Sequence, residues 1–364
     1  MLREIYQQPH ALRETIRHNV EGASIFPTAS KSLGGALRGL TKIIIAASGS
    51  SRNAGLAGEI MLEDLAGVPV DVEYSSEYSL RSAHGGPDSL VVVITQSGET
   101  ADTIAAQREA QKHGAETIAI SNVADSTIAR EGNVTLLTHA APELAVPATK
   151  SFTAQLSVLY LLTISLARER GRLNAEAAQA CLNRLIAVPA EIEKALPGWD
   201  SHAADAANFV RDAKAFLFIG RGVHYAIARE GALKLKEISY VQAEGMPAGE
   251  LRHGPNAMVD ENLAVVALAA YDAADAESTL RRQKTLNVCD YVKSCGGRVI
   301  AVAVEGDHEI AKFADRVIFV PPASELLLPI REVVPLQLLA YHFATLNGCD
   351  VDHPRHLVKA VTRE

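Results

Sequence analysis

A cluster of polar, uncharged side chains stands directly after an apolar run in the first third of the chain. Residues 90–94 read Leu-Val-Val-Val-Ile, and Thr95, Gln96, Ser97 and Thr100 follow with no Lys or Arg among them. Free backbone N–H groups at a helix N-terminus, together with hydroxyl donors, can bind an anion without a positively charged side chain. This stretch therefore predicts a phosphate-binding loop.

A second loop of the same kind follows an earlier strand-like run. Ser48, Gly49, Ser50 and Ser51 come directly after "KIIIAA". Ser and Thr are also common helix N-caps, which is the alternative interpretation of both loops. One cap per loop accounts for one residue rather than a cluster, and "AVVALAAYD", the matching stretch of the second half, lacks such a loop. The difference between the halves favours phosphate binding, with capping as the alternative.

Residues able to move protons lie in the second half. Glu230, Lys234 and Glu237 are spaced i, i+4 and i+7, which places them on one face of a helix. A carboxylate there could act as a general base. Alternatively, Glu230 and Lys234 are an ordinary surface pair that stabilises the helix by about 0.2–0.5 kcal/mol. His253, in the loop "ELRHGP", could shuttle a proton near neutral pH, although most loop histidines are solvated.

The elements that must position these residues alternate regularly between strand and helix. "KIIIAASGSS", "VPVDVEYS", "LVVVITQSGET" and "AETIAISN" read as buried strands separated by amphipathic helices. From Lys214 the order recurs, with strands in "KAFLFIGRGV", "LAVVALAAYD" and "GGRVIAVAV" and a helix over "AIAREGALKLKEISYVQAE". The pattern predicts the α/β class, with one fold duplicated and each mostly parallel sheet flanked by helices on both faces.

This organisation predicts two domains with a linker and short terminal segments. We expect an N-terminal helical segment, a first domain with the phosphate loops, a helical linker, a second domain with the catalytic helix, and a C-terminal tail. Their predicted ranges are 1–19, 20–168, 169–200, 201–345 and 346–364.

Composition narrows the functional class. Net charge is −8, which argues against a nucleic-acid partner, since such surfaces need clustered Lys and Arg. We expect no membrane association, because no apolar stretch appears long enough and uninterrupted, and no exported leader is evident. The four cysteines are scattered without metal-ligand spacing, which predicts no metal site and a reducing cytoplasm.

Several stretches together resemble the SIS (sugar isomerase) family, and within it the isomerase half of the glutamine–fructose-6-phosphate amidotransferases and the SIS-type glucosamine-6-phosphate deaminases. They extend from Glu4 to Thr362 and are "EIYQQP", "ASGSS", "TQSGETADT", "VPATKSFTAQL", "GRGVHYAIAREGALKLKEISY", "AEGMPAGELRHGP", "PLQLLAYHFA" and "DVDHPRHLVKAVT". The resemblance implies two tandem SIS domains, a hexose 6-phosphate or hexosamine 6-phosphate substrate and no cofactor.

The resemblance also implies roles for particular residues. It assigns Glu237 the proton transfer between C1 and C2 of the sugar and favours Lys234 beside it, whereas Glu230 stays open between a catalytic role and a surface pair. It makes His253 the ring-opening group, acting in the neighbouring subunit's site of a homodimer, and gives Lys359 the open-chain carbonyl, where an amine can form a Schiff base. The implied binding residues are Ser51, Thr95, Gln96, Ser97 and Thr100 for the phosphate and Ser50 and Val146 for the sugar.

The chain departs from the family pattern at three places. Ser48-Gly49-Ser50-Ser51 stands where Cys-Gly-Thr-Ser is common, and Thr95 stands where Ser is common. Both changes keep the hydroxyls. Pro147-Ala148 replaces the usual Ala-Ser, which removes a hydroxyl beside the sugar.

These residues lead to one interpretation and several alternatives. The amidotransferases carry a glutaminase domain with a cysteine directly after the initiator methionine, whereas Leu2 follows Met1 here, so we expect no ammonia release from glutamine by this chain alone. The first interpretation is an isomerase/deaminase that interconverts glucosamine 6-phosphate with fructose 6-phosphate and ammonia. The alternatives are an amidotransferase-like synthase without its glutaminase domain, a fructosamine-phosphate deaminase, and a phosphosugar-sensing regulatory module.

Overall fold

The computed structural model describes residues 1–37, 39–81 and 85–362 of the chain. The strands are β1 (Val20–Glu21), β2 (Ser24–Ile25), β3 (Lys42–Ala47), β4 (Val70–Tyr74), β5 (Ser89–Thr95), β6 (Glu116–Ser121), β7 (Val134–Leu137), β8 (Ala215–Gly220), β9 (Gln242–Pro247), β10 (Leu263–Leu268), β11 (Arg298–Val304) and β12 (Arg316–Val320). The α-helices are α1 (Leu2–Tyr6), α2 (Gln8–Asn19), α3 (Ser30–Leu37), α4 (Gly49–Met61), α5 (Ser75–Tyr78), α6 (Ala101–Lys112), α7 (Thr127–Glu131), α8 (Lys150–Glu169), α9 (Ala175–Phe209), α10 (Val223–Ser239), α11 (Ala276–Ser294) and α12 (Leu328–Leu346).

Two five-stranded sheets with the same topology form the framework. One has the order β4-β3-β5-β6-β7 and the other β9-β8-β10-β11-β12, and the strands of both pair in parallel. Each order reads 2-1-3-4-5 when the strands of that sheet are numbered along the chain. The predicted α/β class and the duplication of one parallel fold are confirmed.

The central strands are apolar because helices cover both faces of each sheet. All residues of β5 and of β10 are buried, as expected for parallel strands without a solvent-facing side. The runs "KIIIAA" and "LAVVAL" are rich in β-branched and small residues, which suit such a position. Their carboxyl ends are buried like the rest of each strand, and the loops follow directly from them.

The structure corrects the prediction after α10. The helix was predicted to continue through "VQAE" to Glu244, but it ends at Ser239 and Gln242–Pro247 forms β9. Tyr240 adopts a left-handed conformation with φ 63°, and its N–H closes the helix on the Lys236 carbonyl. Strands β7 and β12 were also missed; both are the last strand at one edge of their sheet.

The chain divides into two compact units that do not follow its linear order. The first-sheet unit contains Gln7–Glu143, Lys150–Pro189 and Val358–Glu364. The second-sheet unit contains Met1–Tyr6, Leu144–Thr149 and Ala190–Leu357. The predicted linker is helical, but α9 starts at Ala175 and continues to Phe209, beyond the predicted limit of residue 200.

Helix α8 is long and apolar enough to cross a membrane by length and composition alone. In the structure, 94% of that apolar stretch is buried. This burial is typical of a core helix.

Candidate functional site

Both hydroxyl-rich loops of the first-sheet unit lie where the strand order reverses. Strands β3 and β5 pair directly, with Ala47 opposite Ile94, so Ser48 and Thr95 lie at neighbouring strand ends. In open parallel sheets, ligands bind at this switch point, outside the carboxyl ends of the strands. The topology therefore places the two loops where a ligand is expected.

Capping does not explain the hydroxyls of these loops. Ser48 and Thr100 are the N-cap residues of α4 and α6, and neither side chain makes a capping hydrogen bond. Instead, the Thr100 hydroxyl pairs with that of Thr95 at 2.8 Å, and Thr95 is almost fully buried. The α6 N-terminus, apart from the Ala101 N–H, and this hydroxyl pair therefore suit an anion.

The turn within residues 95–100 depends on glycine. Gly98 has φ 71°, and a Cβ atom there would lie 2.0 Å from the Ser126 Oγ. On either side, the Ser97 Oγ accepts a hydrogen bond from the Glu99 N–H, and the Glu99 carboxylate accepts one from the Thr127 N–H at 2.7 Å. The Thr127 bond lowers the pKa of Glu99 and turns its charge toward α7. The loop is therefore tightly constrained.

Ser51 lies in the first turn of α4. Its Oγ accepts a hydrogen bond from the Gln155 side chain of α8 at 3.0 Å. The hydroxyl hydrogen is left to donate elsewhere, as an anion would require. Ser50 precedes it in the same turn and is half-buried.

Lys359 of the tail contacts the first-sheet unit. Its Nζ lies 2.5 Å from Glu143 Oε2, and the Glu143 side chain is fully buried. Nearby, the N–H of Ala101, the first residue of α6, donates to the Val361 carbonyl at 3.0 Å. These contacts anchor the tail beside Thr100, so the structure brings Lys359 to the unit that contains the two hydroxyl-rich loops.

A cleft connects these parts of the first-sheet unit. Its volume is about 520 Å³, and Gln96 and Glu143 both line it. Asn122 is a third polar residue in its wall. The cleft therefore extends from Gln96 of the 95–100 loop to Glu143, the partner of Lys359.

The three candidate acid–base residues of the second-sheet unit form one cluster on α10. The Lys234 Nζ lies 2.6 Å from the Glu237 carboxylate and 3.5 Å from that of Glu230. Glu230 and Lys234 are fully buried, whereas the Glu237 side chain is 21% exposed. The surface-pair alternative is therefore wrong, because two buried charges lie beside the one that solvent or a ligand can reach.

His253 and Val146 lie on other elements of the second-sheet unit than α10. His253 ends the 3₁₀ segment Ala248–His253 and is exposed, so its own unit does not fix its imidazole. The N–H of Val146 donates to the Asp352 carbonyl at 3.0 Å, within the second-sheet unit.

A buried ionic network follows strand β8 in the second-sheet unit, at the start of α10. The His224 Nδ1 lies 2.8 Å from Glu332 and its Nε2 lies 3.3 Å from Glu325. Glu325 also accepts hydrogen bonds from Ser278 and from Arg281. Burial opposes protonation of His224, but the two carboxylates raise its pKa to about 10.

Glu143 is the residue that the sequence analysis missed. It stands in "HAAPELAVPATK", three residues before the quoted motif "VPATKSFTAQL". A carboxyl group just before a quoted motif was the only available signal, and its partner is 216 positions away in the chain. Among the described residues, no cluster of His, Cys, Asp or Glu is arranged to hold a metal ion.

The duplicated fold and its matched residues define the family of this chain. The SIS domain family matches residues 36–165 and 209–347, and the chain belongs to this family. The resemblance expected from the sequence motifs is confirmed.

Individual members of the family resemble the chain over its whole length. Glutamine–fructose-6-phosphate aminotransferase (isomerizing) from Chlorobaculum tepidum is 44% identical over 370 residues, covering 100% of this chain and 58% of the relative. The enzyme of the same name from Thermus thermophilus is 43% identical, again over 100% of this chain and 59% of its own length. The chain thus spans less than two thirds of these relatives.

Solved structures give the same picture. The C-terminal domain of glucosamine-fructose-6-phosphate aminotransferase from Francisella tularensis matches with a TM-score of 0.90 and 35% identity, covering 97% of each chain. Glucosamine-6-phosphate deaminase from Thermotoga maritima matches with a TM-score of 0.74 and 21% identity, covering 99% of this chain and 98% of that one. The second match shows a shared fold only.

Proposed function

We propose that this chain is a sugar-phosphate isomerase of the aminotransferase type, converting fructose 6-phosphate and ammonia into glucosamine 6-phosphate. The buried Glu230–Lys234–Glu237 cluster carries the proposal. Taking a lysine and a carboxylate out of water costs roughly several kcal/mol per ion, even after the protein relaxes, and pairing offsets only part of it. A helix that only supports a binding domain is not expected to carry such an arrangement. It is a suitable environment for a group that must accept and return a proton.

The comparisons support this alternative better than the deaminase that the sequence analysis put first. The relatives that align with the whole chain at 43–44% identity are named aminotransferases. The deaminase structure is only 21% identical. Deamination of glucosamine 6-phosphate is the reverse of the proposed synthesis and uses the same groups. The product assay below determines the direction.

Each group has a role that its environment suits. The hydroxyls and N–H groups of residues 95–100, with Ser51, would hold the phosphate and supply mostly uniform binding. Lys359 would engage the C2 carbonyl of the open-chain sugar, and Glu237 would move the proton between C1 and C2. Lys234 would hold Glu237 in position and balance its charge.

Assembly and location belong to the same proposal. His253 is exposed and unfixed, which suits a role as the ring-opening group in the site of a second copy of the chain. We therefore propose a homodimer in the cytoplasm, with ammonia as the nitrogen donor at the site itself.

The test is a product assay that also separates the alternatives. Purified protein is incubated with fructose 6-phosphate and ammonium, with fructose 6-phosphate alone, and with glucosamine 6-phosphate. We expect glucosamine 6-phosphate from the first mixture and a loss of turnover of about 10²–10⁴-fold in Glu237→Gln. Glu261→Gln, an exposed carboxylate of the same unit, is the matched control.

Other outcomes would select another function. Binding of sugar phosphates without turnover in any mixture would support a regulatory sensor. Rapid ammonia release from glucosamine 6-phosphate, with no synthesis at high ammonium, would support the deaminase.

A further inference from the structure

Glu143 is held as an anion by three donors. Its carboxylate accepts hydrogen bonds from the Ser151 N–H at 3.1 Å and the Ser151 hydroxyl at 2.7 Å, and the Lys359 Nζ lies 2.5 Å away. Ser151 lies in the first turn of α8, where the helix dipole also favours a negative charge. The carboxylate is thus fixed in position and aimed at the tail lysine.

Lys359 in this contact is an ammonium group with no lone pair. An ammonium cannot attack a carbonyl, so the proposed Schiff-base chemistry requires a proton acceptor. Within the described part of the chain, Glu143 is the carboxylate that pairs with Lys359. Glu143 is also among the residues that line the cleft containing Gln96.

We propose that Glu143 is the proton acceptor that converts Lys359 into a nucleophilic amine, and then the acid that releases water. This inference rests on the proposed function. Glu143 takes one proton from the Lys359 ammonium, and the nitrogen lone pair forms a bond to C2 while the carbonyl π electrons move to oxygen. A second proton passes from nitrogen to that oxygen, giving a carbinolamine. Glu143 then returns its proton to the hydroxyl, the C–O bond breaks, and water and a protonated imine result.

A role of Glu143 in anchoring the tail alone accounts for its burial and position less well than a role in proton transfer. The tail has a separate anchor in the Ala101 to Val361 hydrogen bond. Its apolar side chains do not secure it, because Val358 is 64% exposed and Val361 is 53% exposed. A fully buried carboxylate is costly as an anchor, whereas a proton acceptor needs a defined position beside the amine.

The experiment traps the imine with borohydride. Wild type, Glu143→Gln and Glu143→Asp are mixed with fructose 6-phosphate and sodium borohydride, and adduct formation on Lys359 is followed by mass spectrometry. We expect trapping at least about 100-fold slower in Glu143→Gln and partial recovery in Glu143→Asp, with affinity for fructose 6-phosphate changed by less than about threefold. Glu131→Gln, which breaks an exposed ion pair with Arg108 in the same unit, is the carboxylate control.

A second variant separates proton transfer from anchoring. Ala101→Pro removes the N–H that binds Val361, and proline is tolerated at the first position of a helix. Thr100 already has the extended conformation that proline requires before it, with φ −69° and ψ 119°. We expect Ala101→Pro to loosen the tail, seen as faster proteolysis, but to slow trapping much less than Glu143→Gln.

Three results would overturn the inference in distinguishable ways. Equal trapping in Glu143→Gln and wild type would remove Glu143 from the proton transfer and leave the proposed function intact. Equal slowing in Glu143→Gln and Ala101→Pro would reduce Glu143 to an anchor. No adduct in wild type that binds and turns over the sugar would overturn the imine itself, and the role of Lys359 with it.

Discussion

The Thr95–Thr100 hydroxyl pair allows a test of whether the loop binds phosphate. The test separates a loss of affinity for phosphate from a loss of protein stability. Thr100→Val removes one hydroxyl from the loop and leaves its shape. The lost hydrogen bond to Thr95, 2.8 Å long, is worth about 1 kcal/mol of stability. A hydrogen bond to a charged phosphate is worth about 1.5–3 kcal/mol, so affinity should fall about ten- to a hundredfold.

Thr135→Val provides the matched control. Its hydroxyl donates to the Ala129 carbonyl at 2.9 Å in the same unit, outside the loop. The two variants should lose similar melting temperature. Only Thr100→Val should lose affinity for fructose 6-phosphate in a calorimetric titration, and neither variant should bind unphosphorylated fructose differently from wild type. Equal affinities of Thr100→Val and Thr135→Val for the phosphorylated sugar would refute the anion role of the loop.

Two further predictions concern backbone geometry and pH. Gly98→Ala should abolish measurable phosphate binding, because the new Cβ would collide with Ser126. Gly171→Ala, where φ is 69° and no atom lies near the new Cβ, should lower stability without changing binding. Calorimetry measures the binding and thermal melting the stability, and retained phosphate binding in Gly98→Ala would contradict the constraint on the loop. Burial opposes ionisation of Glu325, but His224, Ser278 and Arg281 lower its pKa to about 2, below the ordinary 4.5. Glu325 therefore stabilises the fold above the ordinary carboxyl pKa and loses that contribution as pH falls toward 2, so Glu325→Gln should destabilise by about 3 kcal/mol at pH 7 and progressively less below pH 4.5. A stability difference independent of pH would contradict this.

The sequence predicted those features that depend on local pattern. The buried runs of β5 and β10 and the i, i+4, i+7 spacing on α10 are periodic signals, and the structure contains each as a strand or a helical face. β9 was missed because "ISYVQAE" contains no Gly or Pro, and the left-handed conformation of Tyr240 depends on its tertiary surroundings.

The candidate site was less predictable where it depends on distant contacts. Ser and Thr at helix starts predict caps, yet the Thr100 hydroxyl turns to Thr95 instead, a choice that no local rule contains. Glu143 acquires its partner only when the tail folds against the first-sheet unit. Burial of the Glu230–Lys234 pair likewise depends on packing around α10, and the same spacing is common on exposed helices.

The most direct test of the central claim is proton exchange at the sugar itself. Fructose 6-phosphate is incubated in D₂O with wild type, Glu237→Gln or Glu261→Gln, without any nitrogen donor. Deuterium at C1 of the ketose, and at C2 of any aldose 6-phosphate formed from it, is followed by NMR. We predict enzyme-dependent exchange in wild type and Glu261→Gln, and exchange about 10²–10⁴-fold slower in Glu237→Gln with sugar-phosphate binding retained. Exchange at the wild-type rate in Glu237→Gln would show that α10 does not supply the base, and no exchange in wild type that binds the sugar phosphate would contradict the assignment as an isomerase.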